Sequence, residues 1–135
     1  METALDTNMR ILVVDAVSAN RRNIRKTLRD LGFNNTDEAD GTETALPILQ
    51  AGDYDFLVID WNMPGMAGLE LLRAVRADDR LSALAVLMVT AESRREQIIE
   101  AAQAGVNGYI VRPFTAVTLK EKIGKIFECM ETTAE

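Results

Sequence analysis

Two aspartates standing at the ends of apolar runs carry the clearest chemical signal in the chain. Asp60 closes FLVID within the stretch FLVIDWNMPG, and Asp15 closes ILVVD. Short, continuous apolar runs of this type read as strands buried on both faces, and in an open parallel sheet the carboxyl ends of the strands line the ligand crevice. Carboxylates placed there point to a cation or a phosphoryl site. A carboxylate oxygen can attack phosphorus and form an acyl phosphate when a hard cation draws charge away from both the acid and the incoming group. Two nearby residue types complicate that picture: Ala16 follows Asp15, and the later strand end IVRPF carries Arg112.

Composition narrows the alternatives. At 135 residues the chain has the size of one domain and should bury about two thirds of its unfolded surface, enough for a self-sufficient core. Apolar residues make up 47% and charged residues 27%, the balance of an ordinary globular protein. Fifteen basic residues against twenty-one acidic ones give a net charge of −6, which argues against nucleic acid as a partner, because phosphate-backbone binding needs concentrated positive charge. There is no histidine and a single cysteine, Cys129. Ser-His-Asp and Cys-His catalysis, imidazole-bound metals, cysteine-cluster zinc and an intrachain disulfide are therefore excluded. The opening METALDTN has no apolar core and no eighteen apolar residues run together, so neither a signal peptide nor a membrane span is expected, and the expected location is the cytoplasm.

The elements that must position the acids follow from periodicity. After a tail over residues 1–8, Met9 to Val14 predicts the first strand, and Ser18 is placed as the N-cap of a helix carrying Ile24, Leu28 and Leu31 and ending at Gly32. Phe33 to Ala39 predicts a short polar edge strand. Thr42 to Gln50 has helical spacing but contains Pro47, so this helix either begins near Thr44 or is kinked. Phe56 to Asp60 is the third strand, Leu69, Leu72 and Val75 mark a helix after a Met63-Pro64-Gly65 turn, and Ala85 to Thr90 is the fourth strand. Arg94 to Ala104 is predicted amphipathic around Ile98, Ile99 and Ala102, Gly108 to Val111 is a fifth strand, and Leu119, Ile123, Ile126 and Met130 stripe a last helix. One domain over residues 9–130 results, with a tail over 131–135. Strict alternation implies right-handed parallel crossovers and a three-layer, doubly wound α/β sandwich. In the flavodoxin-like order 2-1-3-4-5, strands one and three are neighbours, which brings Asp15 to Asp60.

The motifs VVDAVSANRR, LGFNN, DWNMPGMAGLELL, VLMVTAES and AAQAGVNGYIVRPF, in this order and at these strand ends, resemble the CheY-like family of chemotaxis response regulators over nearly all of residues 9–130. The resemblance implies a (βα)5 receiver that takes a phosphoryl group from a histidine kinase onto Asp60. It also implies Mg²⁺ held by Asp15, Asp60 and the backbone carbonyl of Asn62, a phosphoryl hydrogen bond from Thr90, and Tyr109 as a switch that turns inward. The implied partners are a histidine kinase and the flagellar motor switch protein or another chemotaxis protein, met by a monomer. The residue types suit these roles. Mg²⁺ prefers oxygen ligands and is held by one or two carboxylates plus phosphate oxygens, and a threonine hydroxyl donates to a phosphoryl oxygen without bringing another charge.

The chain departs from the family at two positions. Family members carry two consecutive acids after the first strand, and Ala16 takes the place of the second, removing a metal ligand. A carboxylate and a cation at about 4 Å interact by roughly 4 kcal/mol per unit charge product at an effective dielectric near 20, so losing even a third of that weakens Mg²⁺ binding about tenfold. Arg112 replaces the family's lysine, keeping the charge but exchanging a compact ammonium for a planar fork, which is expected to pair with Asp15 or Asp60 in place of metal. Arg112-Pro113 matches a step that is cis in the family.

Plainer readings stand beside these. Asp15 alone would serve to cap the following helix, Thr90 to satisfy backbone at a strand end, and Tyr109 as a half-buried aromatic. The basic run Arg21, Arg22, Arg25, Lys26 and Arg29 reads as a solvated face given the net charge, and Cys129 as inert. For function, the leading expectation is a receiver with Mg²⁺ binding and phosphorylation impaired by Ala16 and Arg112. The alternative is an adaptor or competitor that binds a chemotaxis kinase or the flagellar switch without phosphorylation, and a remote one is a small flavin-binding protein, for which Asp15-Ala16-Val17-Ser18 makes a poor phosphate loop. An enzyme acting on a diffusible substrate is not expected, since haloacid-type phosphotransfer needs a second aspartate where Asn62 stands.

Overall fold

A computed structural model of the chain describes residues 7–61, 67–91 and 95–134. Strands and helices alternate as β1 (Ile11–Val14), α1 (Ser18–Asp30), β2 (Thr36–Ala39), α2 (Thr42–Ala51), β3 (Phe56–Asp60), α3 (Ala67–Ala77), β4 (Ala85–Thr90), α4 (Arg95–Gln103), β5 (Gly108–Val111) and α5 (Ala116–Ala134). The five strands form one parallel sheet in the order β2-β1-β3-β4-β5, the expected doubly wound α/β architecture. Among the described residues, no helix is long and apolar enough to cross a membrane.

Every residue of β1, β3 and β4 is buried, which is why these runs are continuously apolar rather than alternating. The two-residue strand period still sorts their side chains between two cores. Leu12, Val14, Leu57, Ile59, Val86 and Met88 meet Leu49 of α2 and Leu72 and Val75 of α3 on one face. Ile11, Val13, Phe56, Val58, Leu87 and Val89 meet Ile24 and Leu28 of α1 and Leu119 and Ile123 of α5 on the other.

Local chemistry moves several boundaries. β1 starts at Ile11 and β2 at Thr36 rather than at Met9 and Phe33. Phe33 instead closes α1, its N–H donating to Leu28 O at 2.9 Å while the Gly32 N–H donates to Arg29 O at 2.9 Å. Gly32 adopts φ 101°, the left-handed geometry this closure requires. The N-cap of α1 is Val17, not Ser18, and it makes no side-chain capping bond. Helix α2 begins at Thr42 and carries Pro47 as its sixth residue, so the expected start near Thr44 does not hold. The Thr44 hydroxyl donates to Asp40 Oδ1 at 2.6 Å, and burial of Ala45 and Leu49 offsets the backbone bond that proline cannot make.

Helix α4 is the largest departure from the expected packing. Ile98 and Ile99 are 39% and 45% exposed, whereas Ala101 is 1% exposed. The predicted apolar face around Ile98, Ile99 and Ala102 is therefore not the buried face of α4, whose buried residue is the small Ala101. At the chain's end, α5 continues through Ala134, so residues 131–134, expected as tail, are helical. A cavity left in the central strand tests the core directly: Leu57→Ala, at a position with 0% exposure, should lower unfolding free energy by about 3 kcal/mol in urea denaturation.

Candidate functional site

Parallel pairing of Val14 with Ile59 places the next residues along the two strands, Asp15 and Asp60, side by side at the carboxyl edge of the sheet. Asp60 pairs with Val89, and the following N–H, from Trp61, donates to Val89 O at 2.8 Å. Asp15 continues β1 by donating its N–H to Ala39 O at 3.2 Å. The crevice they form is buried: Asp15 and Thr90 are 0% exposed and Asp60 4%.

Arg112, one residue beyond β5, completes the site. Its backbone N–H donates to Thr90 O at 2.7 Å, and its side chain turns back over the two acids. Nη2 donates to Asp60 Oδ1 at 2.9 Å, and Nη1 stands 3.5 Å from Asp15 Oδ2. One guanidinium thus faces two carboxylates, a separate nitrogen of its planar fork turned to each. Asp15 Oδ1 accepts the Val17 N–H at 2.8 Å, while Oδ2 is buried with no hydrogen-bond partner and faces Arg112 as an ion pair. The capping reading of Asp15 is met only in part. Its carboxylate accepts from the N-cap residue itself rather than from the first helical turn, an Asx-type turn that aims the acid into the crevice. The Arg112-Pro113 peptide is cis.

Thr90 ends β4 between Asp60 and the β5 edge, and its side chain hydrogen-bonds Tyr109. Tyr109 is half-buried against the α2/α3-side core. Burial pushes its hydroxyl above the usual 10.0, and the Thr90 hydrogen bond opposes that rise. Sequence reasoning thus named Asp15, Asp60, Thr90, Tyr109 and Arg112, and the fold brings all five together. Asn62, named as a metal ligand, lies outside the described residues, as does the Met63-Pro64-Gly65 turn. Gly68 was missed. A Cβ there would lie 2.5 Å from the Asp60 carbonyl oxygen, so the first turn of α3 presses directly on the backbone of the central acid. The glycine in PGMAGLELL was the available signal, but a glycine near a helix start has several explanations.

Among the described residues, no group of three or more acids, histidines or cysteines converges as a metal cage. Asp15 and Asp60 supply hard oxygens of the right type for Mg²⁺, and the unbonded Asp15 Oδ2 is a candidate ligand atom. Arg112 stands against those same carboxylates, so a cation entering there competes with a charge already in place.

A doubly wound sheet with two acids, a threonine and a cation gathered at its carboxyl edge defines the receiver class of signalling domain. The response regulator receiver domain family matches residues 11–124, and the chain belongs to it. Chemotaxis protein CheY-3 of Vibrio cholerae is 66% identical over 128 residues, covering 95% of this chain and 98% of that protein. Chemotaxis protein CheY of Pseudomonas aeruginosa is 70% identical over 120 residues, covering 89% and 97%. Among solved structures, Vibrio cholerae CheY4 superposes with a TM-score of 0.82 at 30% identity, covering 88% of this chain and 98% of that one. The chain is a CheY-like chemotaxis response regulator, a receiver of two-component signalling.

The tyrosines offer a spectroscopic check. Tyr54 is also raised above 10.0, first by burial and then by its hydrogen bond to Asp37. A raised acid favours its neutral form in the fold, so the stability it lends is whole below the unfolded value of 10.0 and is lost as pH climbs through the folded value. Ultraviolet titration should show both phenols ionising above 10.0, and Thr90→Val should raise Tyr109 further. An unmoved phenolate transition in that variant would separate Tyr109 from Thr90.

Proposed function

We propose that this receiver takes a phosphoryl group on Asp60 only weakly, because Arg112 neutralises the acids that would otherwise recruit Mg²⁺. The observation carrying this reading is the Arg112 fork, 2.9 Å from Asp60 and 3.5 Å from Asp15. In the transfer, an Asp60 oxygen attacks phosphorus as the bond to the donor breaks, and Thr90 donates to a phosphoryl oxygen. When bound, Mg²⁺ would be held by Asp15, Asp60 and the carbonyl of Asn62, and would neutralise the attacking acid and the transferred group. Arg112 hinders both steps. It holds an oxygen of the nucleophile, and freeing that oxygen leaves a buried charge without its partner. Ala16, exposed beside Asp15, offers no replacement ligand. We place this activity in the cytoplasm, in a monomer that meets a chemotaxis histidine kinase and the flagellar motor switch.

Exposed Ile98 and Ile99 on α4 favour a second reading, in which the chain binds such a partner as an adaptor or competitor without phosphorylation. Under that reading Asp60→Asn leaves partner affinity unchanged in the absence of Mg²⁺ and phosphodonor. Under the first, partner affinity rises on phosphorylation and the variant abolishes the rise.

Trp61 adjoins Asp60 and is the chain's single tryptophan, so its fluorescence reports on the site. Mg²⁺ titration of the native chain should give a shallow, unsaturated response. The double variant Ala16→Asp/Arg112→Lys should bind at least about tenfold more tightly, one decade per 1.4 kcal/mol. It should also gain far more singly phosphorylated product with acetyl phosphate by mass spectrometry. A tight, saturable Mg²⁺ response from the native chain would overturn the reading.

A further inference from the structure

Five basic residues crowd α1, and two of them do not face solvent as a plain charged surface would. Arg21 Nε donates to Glu38 Oε1 at 2.9 Å, and Arg25 Nη1 donates to Glu38 Oε2 at 2.6 Å. Arg25 also donates to Thr36 Oγ1 and Thr36 O, both at 3.1 Å. The remaining arm of Arg21 leaves this cluster: its Nη1 donates to the backbone carbonyl of Asp15 at 2.7 Å. The Arg21 side chain is 14% exposed and that of Glu38 36%.

We infer that Arg21, anchored by Glu38, is a positioning residue for Asp15, and that the polar edge strand β2 exists in part to hold the acidic site in register. Asp15 lies one residue past β1, where the ladder no longer fixes it from both sides. Its two backbone groups are both taken by the end of β2, the N–H by Ala39 O at 3.2 Å and the carbonyl, through Arg21, by Glu38. With the backbone held and Oδ1 accepting the Val17 N–H, the orientation left to the carboxylate directs Oδ2 at Arg112. A charged donor to a backbone carbonyl makes a short, strong bond, and Arg25 keeps Glu38 from turning away. The two arginines hold the Glu38 carboxyl below its usual 4.5, so the anchor stays ionised at neutral pH. An exposed ion pair contributes little to stability, so the effect of this chain of bonds lies in the placement of Asp15 rather than in the folding free energy. The importance of Asp15 rests on the functional reading above, whereas its placement by Arg21 does not.

Amide hydrogen exchange by NMR on the full chain separates positioning from simple bracing. In Arg21→Ala, the Val17 and Asp15 amides should exchange about tenfold faster, the scale of one bond to a charged group, while the Ile24, Leu28 and Ile59 amides keep their rates. Glu38→Ala should reproduce the effect, and the double variant should be no worse than Arg21→Ala alone, because the two act in series. Unchanged Val17 exchange, a general acceleration along α1, or additive effects would each overturn the inference. A second measurement uses the Ala16→Asp/Arg112→Lys chain, in which adding Arg21→Ala should weaken Mg²⁺ binding several-fold at an unaltered melting temperature. Should that parent variant gain no Mg²⁺ affinity while Val17 still responds, the functional reading fails and the positioning role stands. If Mg²⁺ affinity appears and ignores Arg21, the positioning role fails instead.

Discussion

Two charged carboxylates buried side by side are costly unless a cation faces them, and this constraint governs the site. Asp15 and Asp60 lie at the adjoining ends of β1 and β3, where they are 0% and 4% exposed. The chain meets the requirement from within, through the guanidinium of Arg112. A long, planar side chain entering from the β5 end reaches both acids at once, in a site that lacks the second acid after β1. The neighbouring features depend on that bridge. Arg112 is tied to Thr90 through its own backbone, Thr90 to Tyr109 through its side chain, and the Asp60 backbone lies under Gly68 of α3. A change at one acid therefore reaches β4, β5 and α3 through direct contacts.

The sheet order makes this geometry possible. Because the chain leaves β1 for the edge at β2 and returns on the other side at β3, the ends of β1 and β3 diverge into opposite layers and open a crevice between them. Among the described residues, helices α1 and α5 cover one face and α2 and α3 the other, and the acids lie at the carboxyl edge between them.

The buried strands were the most legible part of the sequence. Runs such as ILVV, FLVID and AVLMVT admit few alternatives, and their ends fixed Asp15, Asp60 and Thr90 at one edge of the sheet. The expectation that Arg112 would pair with one of the acids was correct in kind, and its reach to both depended on side-chain geometry that spacing does not encode. Misreadings fell where local pattern and tertiary demand diverge. Ile98 and Ile99 look like core residues, but Ala101 is the buried residue of α4. Ser18 looks like an N-cap, but Val17 occupies that place with the Asp15 carboxylate folded onto its N–H. Pro47 looks like a boundary, but packing of Ala45 and Leu49 carries the helix past it. Arg21 and Arg25 resemble their solvated neighbours on α1, and their partners Glu38 and Thr36 on β2 and the Asp15 carbonyl set them apart.

A counter-charge written into the polypeptide is present once per molecule, whatever ions the surroundings hold. Where a receiver relies on a divalent cation drawn from solution, the electrostatic state of its crevice varies with the supply of that ion. Here the Arg112 fork stands against Asp15 and Asp60, so one positive charge facing the crevice is set by the sequence itself and not by the ion supply.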